Sequence, residues 1–473
     1  MTGVAMAGLA LVLVPAPQAA ASPGHVAQLA DLPQRFVIAH RGSGSFLAPE
    51  NTEQAFERGL ADPKADLLEL DVRTLADGVG GVWHDDTVDR ISSATGEVSS
   101  FDSAAFKQLT IDTPTWFGGG VAATHPMLLT EVLDKFGGKK LLLVEPKDAT
   151  AMRLVIDEVT ERGLTDQVQV QTFYLEDAKL AMQAGMVAQV LIGSQAHADG
   201  NTPQVLKDAG ITRVSIWSGL SDSLIASYVK AGLIVSCYDV NRQYRRDQLY
   251  KLGVRGIDTD DPAYGSGDTA RYHRTADPFR TQTWWYGHQG QSQAAARLST
   301  QYRGTFTTPG WWTIPRGTYP LYVRQGWAAP APKSFNLRLW MRFDSLGADK
   351  TRWGGAYFSV LRDHAYTDAA ADILAGGYTV ILRQNGQLQL YRKESSRTLL
   401  LKTINTPAVK AGTTAKLSIR VNTTSVYFRR YDVTTAGATV RDAMYRGPHL
   451  YFGRSAGTGH EGPGVSFGNV IYE

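Results

Sequence analysis

Short apolar runs that stop abruptly in charged or titratable side chains recur through the first half of the chain. Residues 37–39 end in His40-Arg41-Gly42, residues 80–83 end in His84-Asp85-Asp86, and Leu141-Leu142-Leu143-Val144 closes on Glu145-Pro146-Lys147. The run 67–72 carries Glu69 and Asp71 among leucines and a valine. Successive side chains of a strand point to opposite faces, so both carboxylates share one side. Two carboxylates held that close repel unless a cation or a proton sits between them. Glu145 adds a third hard oxygen ligand and Lys147 a cation beside it. Strands that each finish in polar residues predict one pocket at one end of a sheet or barrel.

Nine runs read as strands, at residues 36–39, 67–72, 80–83, 140–144, 167–173, 188–192, 213–217, 233–238 and 256–259. Helical patterns separate them, and Pro49-Glu50-Asn51-Thr52 offers a turn and an N-cap to a helix over 52–60. This β/α alternation implies a parallel barrel or an open parallel sheet. The stretch 113–126, which follows a strand end, is expected to overhang the site as a lid or substrate wall.

The pattern changes near residue 266. Residues 266–280 are rich in small and polar side chains and read as a linker. Beyond it, alternating runs at 335–343, 357–361, 378–383, 387–392, 415–421, 425–431, 449–452 and 465–472 predict an antiparallel β-sandwich over 281–473. Asn385-Gly386 between two of them is a type I′ hairpin signal. The tryptophan pairs Trp284-Trp285 and Trp311-Trp312 have two readings, sandwich core or platforms for sugar rings. This half loosely resembles concanavalin- or laminin-G-like modules, and no internal repeat is present.

Composition adds bounds. At 473 residues the chain is too long for one ordinary domain, and 43% hydrophobic with 20% charged residues describes a globular protein. A net charge of +3 with no basic stripe gives no reason to expect nucleic acid. Residues 1–22 are an apolar run closing on small residues around Ala19, as in a signal peptide, which predicts a secreted or envelope-associated protein. Pro15 and Pro17 break that run, so no transmembrane segment is expected. A single cysteine, Cys237, excludes an internal disulfide framework.

His40-Arg41-Gly42, Pro49 to Thr52, Glu69-x-Asp71, His84-Asp85-x-Thr87-x-Asp89-Arg90 and Glu145-x-Lys147, in this order and spacing, resemble the glycerophosphodiester phosphodiesterase family. The resemblance continues through 126–133, Tyr238-Asp239-Val240-Asn241 and 253–262, so that residues 33–265 are expected to form one catalytic domain. In two places the sequence departs from the family pattern: Tyr238 stands where tryptophan is usual, and Pro146 where an aliphatic residue is usual. The resemblance selects a TIM barrel, followed here by the all-β sandwich. Eight strands suffice for a barrel, so one of the nine runs is surplus, and the short 213–217 run is the expected misfit.

Hydrolysis of a glycerophosphodiester to sn-glycerol 3-phosphate and an alcohol is the activity the resemblance implies. Glu69, Asp71 and Glu145 would hold one divalent cation; oxygen ligands favour Ca²⁺ or Mg²⁺ over zinc. Arg41 and Lys147 would clamp the substrate phosphate, and His40 and His84 would form the acid and base pair, in either order. Glu50 has two readings, orienting Arg41 or stabilising its own turn. Asp85, Asp86 and Arg90 read as scaffolding. The expected substrate is a small glycerophosphodiester or a glycerol-phosphate polymer, with the sandwich binding a polysaccharide. Two rivals remain: a phospholipase D or sphingomyelinase D type acting on intact lipids, and a carbohydrate-binding protein with an inactive barrel.

Overall fold

The structure, a computed structural model, describes residues 28–43, 48–111, 122–241, 243–267, 305–307, 311–317, 321–325, 334–361, 376–394, 397–447, 449–455 and 461–472. The proposed signal peptide, most of the linker, Trp284-Trp285 and most of the 113–126 stretch lie outside the described residues.

Eight parallel strands close into a barrel: β1 (Phe36–Ala39), β2 (Leu67–Thr74), β4 (Leu141–Pro146), β5 (Val168–Thr172), β6 (Val187–Ile192), β7 (Arg213–Trp217), β8 (Ile234–Tyr238) and β9 (Gly256–Thr259). Pairing of β1 with both β9 and β2 closes the ring. The surplus strand is β3 (Gly80–Val82), which pairs antiparallel with β2 outside the barrel. Thus the expectation for 213–217 is overturned. Arg213–Trp217 is a full barrel strand between β6 and β8, and only the ring makes that visible, since a short run has the same pattern inside or outside it.

Period-2 alternation sorts the barrel residues into two cores. Val37, Ala39, Leu68, Leu70, Leu142 and Val144 pack outward among the helices. Phe36, Ile38, Leu67, Leu141 and Leu143 cluster with Leu29 and fill the lumen. Continuing the lumen positions toward the strand C-termini gives His40 on one side and Glu69, Asp71 and Glu145 on the other. The apolar floor therefore runs straight into the polar rim.

The described part of the β3–β4 connection packs Trp83, Val88, Ile91, Val98, Phe106, Leu109 and Ile111 with Leu75 of the β2–β3 turn into a small core of its own. It delivers His84, Asp85 and Arg90 to the same rim. Thr52 caps the helix Glu53–Ala61 as expected, its Oγ1 accepting from the Ala55 N–H at 3.3 Å.

In the second half two antiparallel sheets share one core. The first has the order β10-β11-β22-β13-β18-β19-β20 and the second β12-β21-β14-β15-β16-β17. Here β10 is Thr305–Thr307, β11 Trp311–Ile314, β12 Leu321–Gln325, β13 Phe335–Ser345, β14 Trp353–Val360, β15 Gly377–Arg383, β16 Gln387–Lys393 and β17 Thr398–Asn405. The rest are β18 (Thr414–Val421), β19 (Ser425–Arg430), β20 (Ala438–Arg441), β21 (His449–Arg454) and β22 (Gly464–Tyr472). Leu337, Leu339, Met341 and Phe343 of β13 meet Phe358, Val380, Leu390 and Phe452 of the other sheet. Trp312 is fully buried in that core, whereas Trp311 lies on the opposite face of the same strand. The hairpin β15–β16 forms, but not with a type I′ turn. Gly386 has φ +89° and its N–H donates to Arg383 O at 2.9 Å, a three-residue loop with a single left-handed position.

Candidate active site

The site begins with a turn that no strand would make by itself. After β1 the chain enters the left-handed region at Arg41 (φ +51°) and Gly42 (φ +93°), which brings the Arg41 N–H to Glu69 Oε2 at 2.7 Å. A Cβ on Gly42 would come within 2.9 Å of Ala55 and Phe56, so only glycine lets the turn lie against the helix Glu53–Ala61. Asn51 is likewise left-handed (φ +56°) and accepts no freedom of direction. Its N–H donates to Arg41 O at 3.0 Å and its Nδ2 to Asp71 Oδ2 at 2.8 Å. Asp239, next to Tyr238, is the third such residue at this rim (φ +58°). Left-handed backbone at non-glycine residues is costly and is held only where the surroundings dictate it.

Glu69, Asp71 and Glu145 present oxygens that all lie within 4.8 Å of one another. The β2–β4 register sets Asp71 directly opposite Glu145. Lys147 ties these two together, its Nζ 2.8 Å from Asp71 Oδ1 and 2.5 Å from Glu145 Oε1. Gln171, one strand further, donates to Glu69 Oε1 and Glu145 Oε2, each at 3.3 Å.

Charge is unequally shared. Burial, and then Asp71, push the Glu69 carboxyl well above the usual range. Burial also raises Glu145 against the pull of Lys147. Asp71 is held below the usual range: burial opposes ionisation, but Lys147, His84 and Arg41 outweigh it. The raised Glu69 and Glu145 carboxyls are thus ones whose charge the neighbouring cations compensate only in part. A hard divalent cation fits that deficit and that all-oxygen donor set.

The two imidazoles have opposite surroundings. His40 Nδ1 is 2.8 Å from Asp260 Oδ1, and Asn241 Nδ2 donates to Asp260 Oδ2 at 2.6 Å. Burial and Arg41 depress the His40 pKa, but the fields of Asp258 and Asp260 and the hydrogen bond prevail and raise it to about 10. His84 Nδ1 is 2.8 Å from Asp85 Oδ1. Its pKa falls well below the ordinary value, first by burial and then by Arg41 and Lys147, with Asp71 opposing. One ring is thus cationic and the other neutral across the neutral pH range.

Arg41, Glu50 and Arg90 form a buried chain of charge. Glu50 accepts from Arg41 Nη1 at 2.6 Å and from Arg90 Nη1 at 2.8 Å, and Arg90 also pairs with Asp85. Of its two readings, orienting Arg41 or stabilising its own turn, the first has its contact here, the Arg41 guanidinium donating to Glu50. Asp85 and Arg90 are supports, the former for His84. Asp86 is exposed and pairs with Arg73 at 2.7 Å. All eight predicted residues come together at one barrel end. Sequence reasoning missed Asn51, Gln171, Asp258 and Asp260; Asn51, Asp258 and Asp260 lie inside motifs already noted, and Gln171 carried no local signal. Cys237 is buried with its thiol pushed up to about 12, an inert core residue.

A closed (β/α)8 barrel whose rim carries a carboxylate triad, two imidazoles and an oriented guanidinium defines a phosphoryl-transfer class of site. Residues 40–264 match the glycerophosphoryl diester phosphodiesterase family. A glycerophosphodiester phosphodiesterase of Caldanaerobacter subterraneus is 30% identical over 238 residues, covering 48% of this chain and 94% of that protein. A putative glycerophosphodiester phosphodiesterase of Bacillus subtilis is 28% identical, covering 48% and 96%. Among solved structures, a putative glycerophosphoryl diester phosphodiesterase of Silicibacter pomeroyi is similar at 25% identity with TM-score 0.43, covering 48% of this chain and 91% of that one. The chain belongs to the glycerophosphoryl diester phosphodiesterase family through its barrel.

Proposed function

We propose that the barrel hydrolyses glycerophosphodiesters to sn-glycerol 3-phosphate and an alcohol, with one bound divalent cation, Ca²⁺ or Mg²⁺. The observation that carries this reading is the carboxylate triad facing two imidazoles, one cationic and one neutral. The relatives named for this activity support it. Glu69, Asp71 and Glu145 would hold the ion, which supplies Lewis-acid polarisation of a phosphoryl oxygen.

The chain's own residues do the rest. The Arg41 fork, fixed by Glu50, binds the phosphate oxygens, and Lys147 adds positive charge beside them. Neutral His84, with Nδ1–H held by Asp85, carries its lone pair on Nε2 and takes a proton from the attacking water, whose oxygen forms the new O–P bond. Cationic His40, with Nδ1–H held by Asp260, gives its Nε2 proton to the leaving alcohol oxygen. One O–P bond forms and one breaks, and the proton count balances.

The reading extends to residues 33–265 as the catalytic domain, 266–280 as linker and 281–473 as a concanavalin- or laminin-G-like module on an exported protein. Its support is the composition change and the apolar N-terminal run. Among the described residues no helix is long and apolar enough to cross a membrane. The test is product identification after incubating the full chain with glycerophosphocholine and Mg²⁺ or Ca²⁺. Choline and sn-glycerol 3-phosphate are expected; glycerol with choline phosphate, or no cleavage with either ion, overturns the reading.

A further inference from the structure

The sheet β10-β11-β22-β13-β18-β19-β20 buries one face in the shared core and turns a basic one outward. Strict alternation along β13 puts Arg338, Trp340 and Arg342 on the outer face between core residues, and β18 adds Lys416 and Arg420 in the same way. Arg429 of β19 and Arg441 of β20 continue it across the register pairs Ser418↔Arg429 and Ser425↔Arg441. Among the described residues of these strands, Asp344 is the carboxylate on this face, and Arg342 binds it at 2.6 Å.

The cations are backed by aromatic rings. Trp311 and Trp340 both pair in register with Gly468, and their rings lie 6.3 Å apart. A Cβ on Gly468 would sit 2.8 Å from Trp311, so the pair closes only over glycine. The Arg342 guanidinium lies 4.8 Å from the centre of the Trp311 ring, Lys416 Nζ 4.7 Å from that of Trp340, and Arg420 5.8 Å from that of Tyr427. Arg429 lies over Tyr431, and its Nε is buried without a hydrogen-bond partner. Cation–π contacts hold long side chains in place before any ligand arrives, which lowers the ordering cost of binding an anion.

Same-face residues recur about 7 Å apart along a strand and about 4.8 Å between strands, so the array offers regularly spaced charges to an extended chain. A membrane surface would call for protruding apolar anchors, whereas here the rings are half-buried under cations. We propose that this face binds a linear glycerol-phosphate polymer through its phosphodiester charges and holds it near the barrel. The choice of polymer rests on the barrel's proposed activity; the polyanion chemistry rests on the sheet alone.

The test is calorimetric binding of delipidated poly(glycerol phosphate) to the full chain at rising NaCl, beside the triple variant Arg338→Glu/Arg420→Glu/Arg441→Glu. Turnover of glycerophosphocholine is measured separately, so failure of the activity and failure of the binding are read independently. Affinity of the unsubstituted protein should fall steeply with salt, and the variant should bind at least about tenfold more weakly with a flatter salt slope. Its glycerophosphocholine turnover should be unchanged. If the triple variant does not fold, Arg420→Gln/Arg441→Gln should show the same direction of change. No binding by the unsubstituted protein, equal binding by a folded variant, or equally tight binding of single-stranded DNA or anionic phosphatidylglycerol vesicles overturns the proposal.

Discussion

Replacing Glu50 by glutamine keeps its shape and removes the charge that two guanidinium groups share. Glu50 is only 4% exposed, and it accepts from both Arg41 and Arg90. Breaking a buried ion pair by neutralising one partner costs about 3–5 kcal/mol, because the other charge is left uncompensated. At about 2–4 °C per kcal/mol for a domain of this size, the barrel's melting transition should fall by about 6–20 °C. Differential scanning calorimetry of the full chain reads this directly. Removing one cation as well, in Glu50→Gln/Arg90→Met, should cost less than the sum of the two single changes, since the neutralised partner no longer faces two charges. The pH dependence has a definite sign. Arg41 and Arg90 hold the Glu50 carboxyl below its usual range against the effect of burial. Its contribution is therefore present above the unfolded value near 4.3 and is lost as pH falls below it toward the folded value. The advantage of the unsubstituted protein over Glu50→Gln should shrink in that acid window. A loss below about 1 kcal/mol at neutral pH would refute the view of Glu50 as the buried counter-charge, because that is the scale of exposed pairs.

Two further outcomes follow from the supports of the site. Asp258→Asn removes a carboxylate that raises the His40 pKa; since Asp258 itself titrates at about 7, the alkaline limb of kcat/KM should move to lower pH, and an unmoved limb would contradict the assignment of His40 as the acid. Asn51→Ala leaves Asp71 without its amide partner and should weaken divalent-ion affinity about 10–100-fold, as loss of a ligand's hydrogen-bonding support commonly does; unchanged affinity in a buffered-ion titration would place Asn51 in the fold alone.

Much of the barrel was legible because its strands finish in chemistry: an apolar run that stops at His40, or resumes at Glu69 and Asp71, announces both its face and its end. The β2–β4 register could not be read, yet it is what sets Asp71 against Glu145. Local pattern also failed to distinguish Gly80–Val82 from a barrel strand, since membership is decided by which edge pairs with which. Glu50 was ambiguous because one of its two guanidinium partners, Arg90, lies 40 positions away in the chain. Gln171 is one of several polar residues along Val168–Thr172, and only the closed lumen singles it out by turning it toward the triad; Asp258 lies within a noted segment, but its proximity to His40 needs the closed ring. In the sandwich, Thr305–Thr307, Trp311–Ile314, Leu321–Gln325, Thr398–Asn405 and Ala438–Arg441 were not foreseen; the last two are edge strands whose half-exposed faces blur the alternation.

The most direct test of the account is ion binding by the metal-stripped full chain, titrated with Mg²⁺ and with Ca²⁺ in a calorimeter and assayed in parallel for glycerophosphodiester cleavage. One ion per chain should bind, and Glu69→Gln, Asp71→Asn and Glu145→Gln should each lose the ion and the cleavage together. Undiminished ion binding in those variants, or cleavage that persists in EDTA, would contradict it.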